Sequence, residues 1–380
     1  MLIVADENIP QVRESLAAYG EVRMLPGRAL SAADVCDADI LLVRSVTSVD
    51  GALLDGSRVR FVGSATIGTD HMDTAYLQRR GIAYASAPGC NATAVVEYVL
   101  SCLSALDGVL ERLFSGGIVG VIGLGNVGSR LVARLQRLGI RCIGYDPLLA
   151  TEVNLPLCEL EQVLRADVVC CHTPLTYAGA YPTFHQLDAE GLQHLPANSV
   201  LLNAGRGAAI DNAALQSLLA ARADLRAVLD VWEQEPQLDR ELLARVALGT
   251  PHIAGYSLDG KLAGTQQIVA ACCDFFGWPL PPPLAPNAGP RITIDDGLSG
   301  VGLVRAAVRA AYDVRQDDQA LRAAMRDIAP ERIANEFDRL RKSYPPRREF
   351  AALQIDNWSE LCMQNRSLLL ALGFNAPVRS

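Results

Sequence analysis

Ile118-Val119-Gly120-Val121-Ile122-Gly123-Leu124-Gly125-Asn126-Val127-Gly128 decides the fold. Its first five residues form a short β-branched run, the pattern of a strand buried on both faces. Glycines follow at once, and then Val127, Leu131, Leu135 and Leu138 recur at helical spacing. In a strand–turn–helix of this kind Gly123 allows the tight turn. Gly125 lets the main chain approach a pyrophosphate with no Cβ in the way, and Gly128 permits close helix–strand packing. The helix N-terminus offers its unpaired N–H groups to phosphate oxygens.

The next strand-like run, Ile140–Tyr145, ends in Asp146. An acidic residue about 20 positions beyond the glycines is where a ribose 2′-hydroxyl is gripped. Asp146 would repel a 2′-phosphate, and Pro147-Leu148-Leu149 supplies no arginine to receive one. The expected cofactor is therefore NAD, not NADP.

Outward from this turn, strand and helix alternate. Residues 118–122, 140–145, 167–172, 199–203 and 226–230 read as buried strands, which implies a doubly wound parallel sheet with ligands at the carboxyl ends of its strands. Toward the N-terminus, Leu2–Ala5, Ile40–Val43, Phe61–Gly63 and Ile82–Ala85 read as the strands of a second, smaller parallel sheet. The loop Ala87-Pro88-Gly89-Cys90-Asn91 opens one long apolar helix from Val95 to Leu113, and residues 257–276 form another. A stiff proline-rich stretch, Trp278 to Pro286, follows. Beyond it Arg291–Ile294 reads as a strand, and helical patterns occupy 300–313, 317–327 and 331–342.

The chain's 380 residues exceed what one core supports. The expectation is an α/β protein of two doubly wound parallel-sheet domains plus a C-terminal α+β domain. A flavodoxin-like substrate-binding (lid) domain covers 1–93 and 257–280, and a Rossmann domain covers 94–256. A linker at 281–286 leads to an assembly domain at 287–380. Net charge is −8, which argues against nucleic acid or an anionic membrane as the main partner. The C-terminal part differs: residues 291–380 carry 14 Lys+Arg against 12 Asp+Glu, the rest 20 against 30. The basic run Arg341-Lys342 to Arg347-Arg348 reads as a solvated face.

The N-terminus lacks the basic start, apolar stretch and cleavage site of a signal peptide, and no apolar run is long enough to span a bilayer. Ten cysteines, with no Cys-x-x-Cys pair, lie mostly within apolar patterns. They are expected to be reduced, buried thiols of a cytoplasmic protein. Cys90, in its Pro-Gly-Cys-Asn loop, reads as a packing or loop residue.

Three residues carry the chemistry. Arg206, in Asn203-Ala204-Gly205-Arg206-Gly207 at the end of a strand, has glycines on both sides that let a ligand come close. Its planar fork suits a carboxylate and polarises a neighbouring carbonyl. His252 follows Thr250-Pro251 after a strand-like run, and Glu235 lies just past the strand ending at Asp230. Adjacent strands would bring these two together. A carboxylate beside an imidazole favours its charged form and fixes its tautomer, so the ring can take a hydroxyl proton as hydride leaves the same carbon. His172 reads as a residue lining the nicotinamide pocket, and His71 as the organiser of its own turn. No histidine has metal-ligand spacing, so no metal is expected.

These pieces in this order resemble the D-2-hydroxyacid dehydrogenases over residues 35–280. The matching stretches are Gly68-Thr69-Asp70-His71, Gly123–Gly128 with Asp146, His172-Thr173-Pro174-Leu175, Asn203–Gly207, Asp230-Val231-Trp232 through Glu235-Pro236, and Pro251-His252. Val43–Thr47, Phe61–His71, Ala87–Ala92, His252–Ser257 and the C-terminal extension resemble one branch of that family. It serves pyridoxal-phosphate biosynthesis and oxidises a four-carbon 2-hydroxy acid with a terminal phosphate.

That resemblance implies Arg206, Glu235 and His252 as catalytic residues. It implies Asn126, Val127, Asp146, Thr173, Arg206, Gly207, Asp230 and Gly255, with the three glycines of the turn, around NAD. Ser45, Thr66 and Tyr256 would contact substrate, and the C-terminal domain would make a homodimer. One departure is Ser64-Ala65-Thr66-Ile67, where relatives often have Thr-Ala-Thr-Ala.

A substrate with a carboxylate at one end and a phosphate at the other needs two anion sites. Arg206 serves the first, and Arg44, beside Ser45 and Thr47, is the candidate for the second. Two rivals remain: a family member acting on phosphoglycerate with a regulatory tail, and a NAD-sensing interaction protein that has lost turnover.

Overall fold

Strands β1 (Leu2–Asp6), β2 (Glu21–Leu25), β3 (Ile40–Val43), β4 (Phe61–Ser64) and β5 (Ala83–Ala85) form a sheet of order β2-β1-β3-β4-β5, parallel at every pairing. This is the flavodoxin-like order. β3 is buried at all four positions, as a central parallel strand must be. β2 is not among the strands the sequence pattern predicts. It is an edge strand in which Val22 is buried between Glu21 and Arg23, and those two charges pair with each other at 2.7 Å. Half-polar edges of this kind carry little apolar signal. The helix Leu258–Phe276 starts at Ser257, whose hydroxyl accepts from the Gly260 N–H at 2.9 Å. It packs Ile268 and Cys272 into the core with Ile40 and Phe61.

The computed structural model describes residues 1–149, 155–283 and 289–377. It divides into two compact units, Met1–Asn91 with Ser257–Asn287 and Ala92–Tyr256 with Ala288–Ser380. Of the linker expected at 281–286, residues 284–286 lie outside the described residues.

The second unit holds β6 (Ile118–Ile122), β7 (Arg141–Tyr145), β8 (Val168–Cys171), β9 (Val200–Asn203), β10 (Arg226–Leu229) and β11 (Leu248–Gly249) in the order β11-β10-β9-β8-β6-β7, all parallel. The winding reverses at β6, between β7 and β8, so the glycine turn sits at the topological switch point where such sheets take ligands. The long helix predicted from Val95 to Leu113 is two helices, Ala92–Ala105 and Val109–Phe114. Gly108, with φ +74°, breaks it.

Residues 289–377 do not pack apart from that sheet. Leu303, Val304, Val308, Phe350 and Phe374 share a core with Tyr98, Leu103 and Val119. Leu321, Met325, Ile333 and Phe337 join Val169, Leu201 and Leu229 in another. The strand predicted at Arg291–Ile294 is the two-residue β12 (Arg291–Ile292), paired in parallel with β13 (Gln354–Ile355). The basic run predicted as solvated is in part internal: Arg347 is buried, and Arg341 is mostly so.

All ten cysteines are free thiols, six of them buried. Among the described residues no helix is long and apolar enough to cross a membrane.

Candidate active site

Gly123 turns the chain with φ +84°, and a Cβ there would come within 3.0 Å of His172 and Thr173 main-chain atoms. A Cβ on Gly128 would lie 2.0 Å from the Gly123 carbonyl oxygen, so the helix Asn126–Arg137 starts against its own turn. At Gly125, by contrast, a Cβ would meet nothing within 4 Å. Space is open where a pyrophosphate would approach, and Gly125 and Asn126 are exposed at the helix start.

Asp146 is tied to the same turn. One carboxylate oxygen accepts from the Leu124 N–H at 2.9 Å and the other from the Leu148 N–H at 3.1 Å. Both ring nitrogens of His172 and the hydroxyl of Thr173 are buried without a hydrogen-bond partner. Burial pushes the His172 imidazole down to about 4, so it is neutral. Buried polar atoms without partners are uncommon in a folded chain. Here they cluster at the switch point beside an open, glycine-lined turn, and this arrangement fits a dinucleotide.

Arg206 follows β9. The Asn203 side chain braces its loop, accepting from the Gly205 N–H at 3.0 Å and donating to the Arg206 carbonyl at 2.9 Å. Gly205 approaches the Thr173 carbonyl, where a Cβ would stand 2.9 Å away, and a Cβ on Gly207 would lie 2.0 Å from the Trp232 carbonyl carbon. Both flanking glycines are therefore demanded by close approach of main chain. The half-buried guanidinium donates to the Gly205 carbonyl at 3.0 Å.

Glu235 and His252 meet as the sequence predicts. His252 Nδ1 lies 2.5 Å from Glu235 Oε1, and Glu235 Oε2 accepts from the Trp232 N–H at 3.2 Å. An ionised carboxylate only accepts, so Nδ1 carries the proton and Nε2 is the nitrogen left for a reacting group. Burial raises the Glu235 carboxyl, but the charge and hydrogen bond of His252, with the charge of Arg341, outweigh it and hold the group below its ordinary range.

The loop carrying His252 is fastened by Asp230. Its carboxylate accepts from the Thr250 hydroxyl at 2.7 Å and from the N–H groups of Ile253 at 2.8 Å and Ala254 at 3.0 Å. Tyr98 and Trp232 add hydrogen bonds to Thr250. Gly255 and Tyr256 continue this loop, both half-buried.

The remaining predicted residues belong to the first unit. Thr66 is held by Ser64, whose hydroxyl lies 2.9 Å from Thr66 Oγ1 and 3.0 Å from His71 Nε2, so His71 braces the Thr66 turn as well as its own. Thr47 is buried and donates to the Gly27 carbonyl at 2.9 Å, which fixes the loop bearing Arg44 and the exposed Ser45.

The structure adds four side chains around these residues that the sequence does not single out. Lys261, on the helix Leu258–Phe276, is near enough to Arg44 that burial and that guanidinium push its ammonium down. Asn203 is visible only as part of a motif. Arg341 and Arg347 come from the C-terminal part; Arg347 donates to the carbonyls of Ala94 at 3.0 Å and Ala254 at 2.6 Å. The spacing Ile333, Phe337, Arg341, four residues apart along one helix face, is the signal that would have found Arg341.

Among the described residues one group has metal-ligand spacing: His185, Asp211 and Glu233. Most of its ligand atoms are already engaged, while His185 Nδ1 and Asp211 Oδ2 face each other at 3.7 Å. Glu233 pairs with His185 Nε2 at 2.8 Å and accepts from the Asn212 N–H at 3.1 Å, while Asp211 caps a helix through the Ala214 N–H at 2.9 Å.

Residues 105–254 match the family model described as D-isomer specific 2-hydroxyacid dehydrogenase, NAD binding domain. Residues 284–373 match one described as a domain of unknown function (DUF3410). Along its full length the chain is similar to the erythronate-4-phosphate dehydrogenase of Edwardsiella ictaluri, 49% identical with 100% of both chains covered. To the erythronate-4-phosphate dehydrogenase of Cellvibrio japonicus it is 47% identical, over 98% of this chain and 99% of the other. Among solved structures, the TT0316 protein from Thermus thermophilus aligns with a TM-score of 0.63 at 25% identity, covering 75% of this chain and 100% of that one. NAD-bound 3-phosphoglycerate dehydrogenase of Entamoeba histolytica aligns with a TM-score of 0.63 at 24% identity, over 73% and 95% of the two chains, a likeness of fold.

Proposed function

The chain belongs to the erythronate-4-phosphate dehydrogenase family of D-2-hydroxyacid dehydrogenases, and on that premise we propose that it oxidises 4-phospho-D-erythronate to 2-oxo-3-hydroxy-4-phosphobutanoate. Its cofactor is NAD, which when bound supplies the acceptor for the hydride leaving C2. Gly123, Gly125, Asn126, Val127, Gly128 and Asp146 hold the dinucleotide, with Thr173, Arg206, Gly207, Asp230 and Gly255 around it.

His252 Nε2 takes the proton of the C2 hydroxyl as general base. Glu235, already ionised, keeps the ring in the right tautomer and stabilises the imidazolium that forms. Arg206 binds the substrate carboxylate and the oxygen that becomes the carbonyl. Arg44 and Lys261, two cations near each other, receive the phosphate, and Ser45, Thr66 and Tyr256 complete the substrate contacts. The observation that carries this reading is the 2.5 Å pairing of Glu235 with His252 on a loop fastened by Asp230. A NAD-sensing protein has no need of such a pair.

The same reading assigns the enzyme to pyridoxal 5′-phosphate biosynthesis in the cytoplasm, as a homodimer. Met363 and Leu370, seven residues apart on one helix and both exposed, support an assembly face there. The test is direct: follow NADH absorbance with purified protein, NAD and either 4-phospho-D-erythronate or 3-phosphoglycerate. Turnover of the first at least about tenfold above the second in kcat/KM is expected. Preference for 3-phosphoglycerate, or NAD binding with no turnover of either acid, rejects the reading.

A further inference from the structure

The helix Ile333–Lys342 buries Ile333 and Phe337 in the core it shares with β8 and β9. Arg341, one turn past Phe337 on the same face, is drawn in with them, and its side chain is only 17% exposed. Its guanidinium carbon stands 5.8 Å from the centre of the Tyr256 ring, within cation–π range. Tyr344 meets that ring edge-on, also at 5.8 Å. Two residues before Tyr256, the Ala254 carbonyl is held by Arg347. The C-terminal part of this chain thus grips the loop after β11 at two points.

A buried cation is costly unless it is paired. Arg341 Nε is buried with no hydrogen-bond partner, and on its own helix the Asp338 carboxylate is no nearer than 3.9 Å. The charged and titratable groups that face Arg341 are Tyr256 from the loop after β11, Glu235 from the loop after β10, and Asp338. Glu235 in turn is faced by His252 and Arg341. Tyr256 is the first of the groups facing Arg341 and Glu235 the next, so the compensation for burying Arg341 comes from the two loops that carry the acid–base site.

We propose that Arg341 is a positioning residue of that site, supplied in cis by the C-terminal helix, which holds the Tyr256 ring and sets the electrostatic field at the Glu235–His252 pair. It rests on the reading of His252 as the acid–base group. With Arg341 in place its charge favours the ionised Glu235 carboxylate, the form that orients the His252 ring, over the protonated one. Removing the cation moves the proton's loss from Glu235 to higher pH.

The test uses full-length Arg341→Gln and Arg341→Lys. In the Gln variant kcat/KM for the hydroxy acid is expected to fall at least about tenfold, and the low-pH limb of its profile to move up by about one unit. NADH binding and the melting temperature should match the parent. The Lys variant keeps the charge but not the planar fork, so its limb should return to the parent position while KM stays raised. An unmoved limb in a folded Gln variant overturns the proposal, as does an equal loss in both variants accompanied by a lower melting temperature. Should the Gln variant not fold, the Lys variant decides: a parental limb with raised KM supports the proposal, and a displaced limb overturns it. A parent inactive on every 2-hydroxy acid sinks the functional reading and this inference with it, whereas an active parent with an unmoved variant limb sinks this inference alone.

Discussion

The main-chain N–H of His252 donates to the Asp230 carbonyl at 2.7 Å. His252 itself has φ +56°, a left-handed conformation that costs a non-glycine residue about 1–2 kcal/mol. The Asp230 carboxylate, by taking the N–H groups of the next two residues, holds the ring where it is. Asp230→Ala would leave those donors buried and unpaired at about 1–3 kcal/mol each. The expected outcome is a loss of about 3 kcal/mol in chemical denaturation and a fall in kcat of at least about a hundredfold. Asp230→Asn, which keeps one acceptor oxygen, should lie between. A kcat for the Ala variant near the parent value would show that the loop holds its geometry without Asp230.

His252→Ala removes the base but none of the glycine turn, so turnover should vanish while NADH fluorescence titration reports unchanged binding. Residual activity within about tenfold of the parent would reject the assignment. Glu235→Gln should slow turnover and also change the acid limb of stability. A carboxyl held below its ordinary value adds stability that is present above the unfolded value and is lost as pH falls through the folded one. The variant should therefore be less stable than the parent at neutral pH, and the gap should close on acidification below the ordinary carboxyl range.

What the sequence made legible was local or close to it. The run at 118–122, its glycines and Asp146 lie within one βαβ unit, and Glu235 and His252 follow adjacent strands β10 and β11. Arg341 and Arg347 were opaque because a charge run normally means solvent. For Arg347 the decisive partners, the carbonyls of Ala254 and Ala94, lie 93 and 253 residues away. The group His185, Asp211 and Glu233 was hidden for the same reason, since three separate loops bring it together. β2 escapes notice because an edge strand with charges on its open side lacks a continuous apolar pattern.

Two of the three glycines of the turn, Gly125 and Gly128, should separate cofactor binding from folding. Gly125 has φ −68° and open space around its missing side chain, so Gly125→Ala should melt within about 1 °C of the parent. Its methyl group would stand where a pyrophosphate approaches, and NADH should bind at least about tenfold more weakly. Gly128→Ala puts its Cβ 2.0 Å from a main-chain oxygen and should destabilise the fold itself, by about 2 kcal/mol or more in denaturant. Equal effects of the two on melting and on NADH affinity would contradict this division.

Burial, and then the charge of the Arg44 guanidinium, push the Lys261 ammonium down, and an anion placed near both cations is favoured by each. Arg44→Ala is expected to raise KM for the phosphorylated acid at least about tenfold with kcat within about threefold, and to change kcat/KM for a non-phosphorylated 2-hydroxy acid by less than about threefold. Lys261→Met should act in the same direction. Equal losses on both acids would assign Arg44 to something other than the phosphate.

Glu97, in the helix Ala92–Ala105, offers a test of the core that joins the C-terminal part to the nucleotide-binding sheet. One carboxyl oxygen accepts from the Phe350 N–H at 2.8 Å, and the other is buried with no hydrogen-bond partner. Burial, with the nearby charge of Glu349, pushes this group up to about 8, and the Phe350 bond, Arg347 and Arg134 do not offset it. For a carboxyl raised on folding, the stability it contributes is whole below the unfolded value and is lost as pH rises through the folded one. Glu97→Gln keeps the acceptor for Phe350 and cannot ionise, so its unfolding free energy in denaturant should equal the parent's near pH 4.5 and exceed it by about 2–4 kcal/mol at pH 8. A Gln variant less stable than the parent at pH 8 would mean that Glu97 is ionised in the native core and compensated by Arg347, and the sign of the pH dependence would reverse.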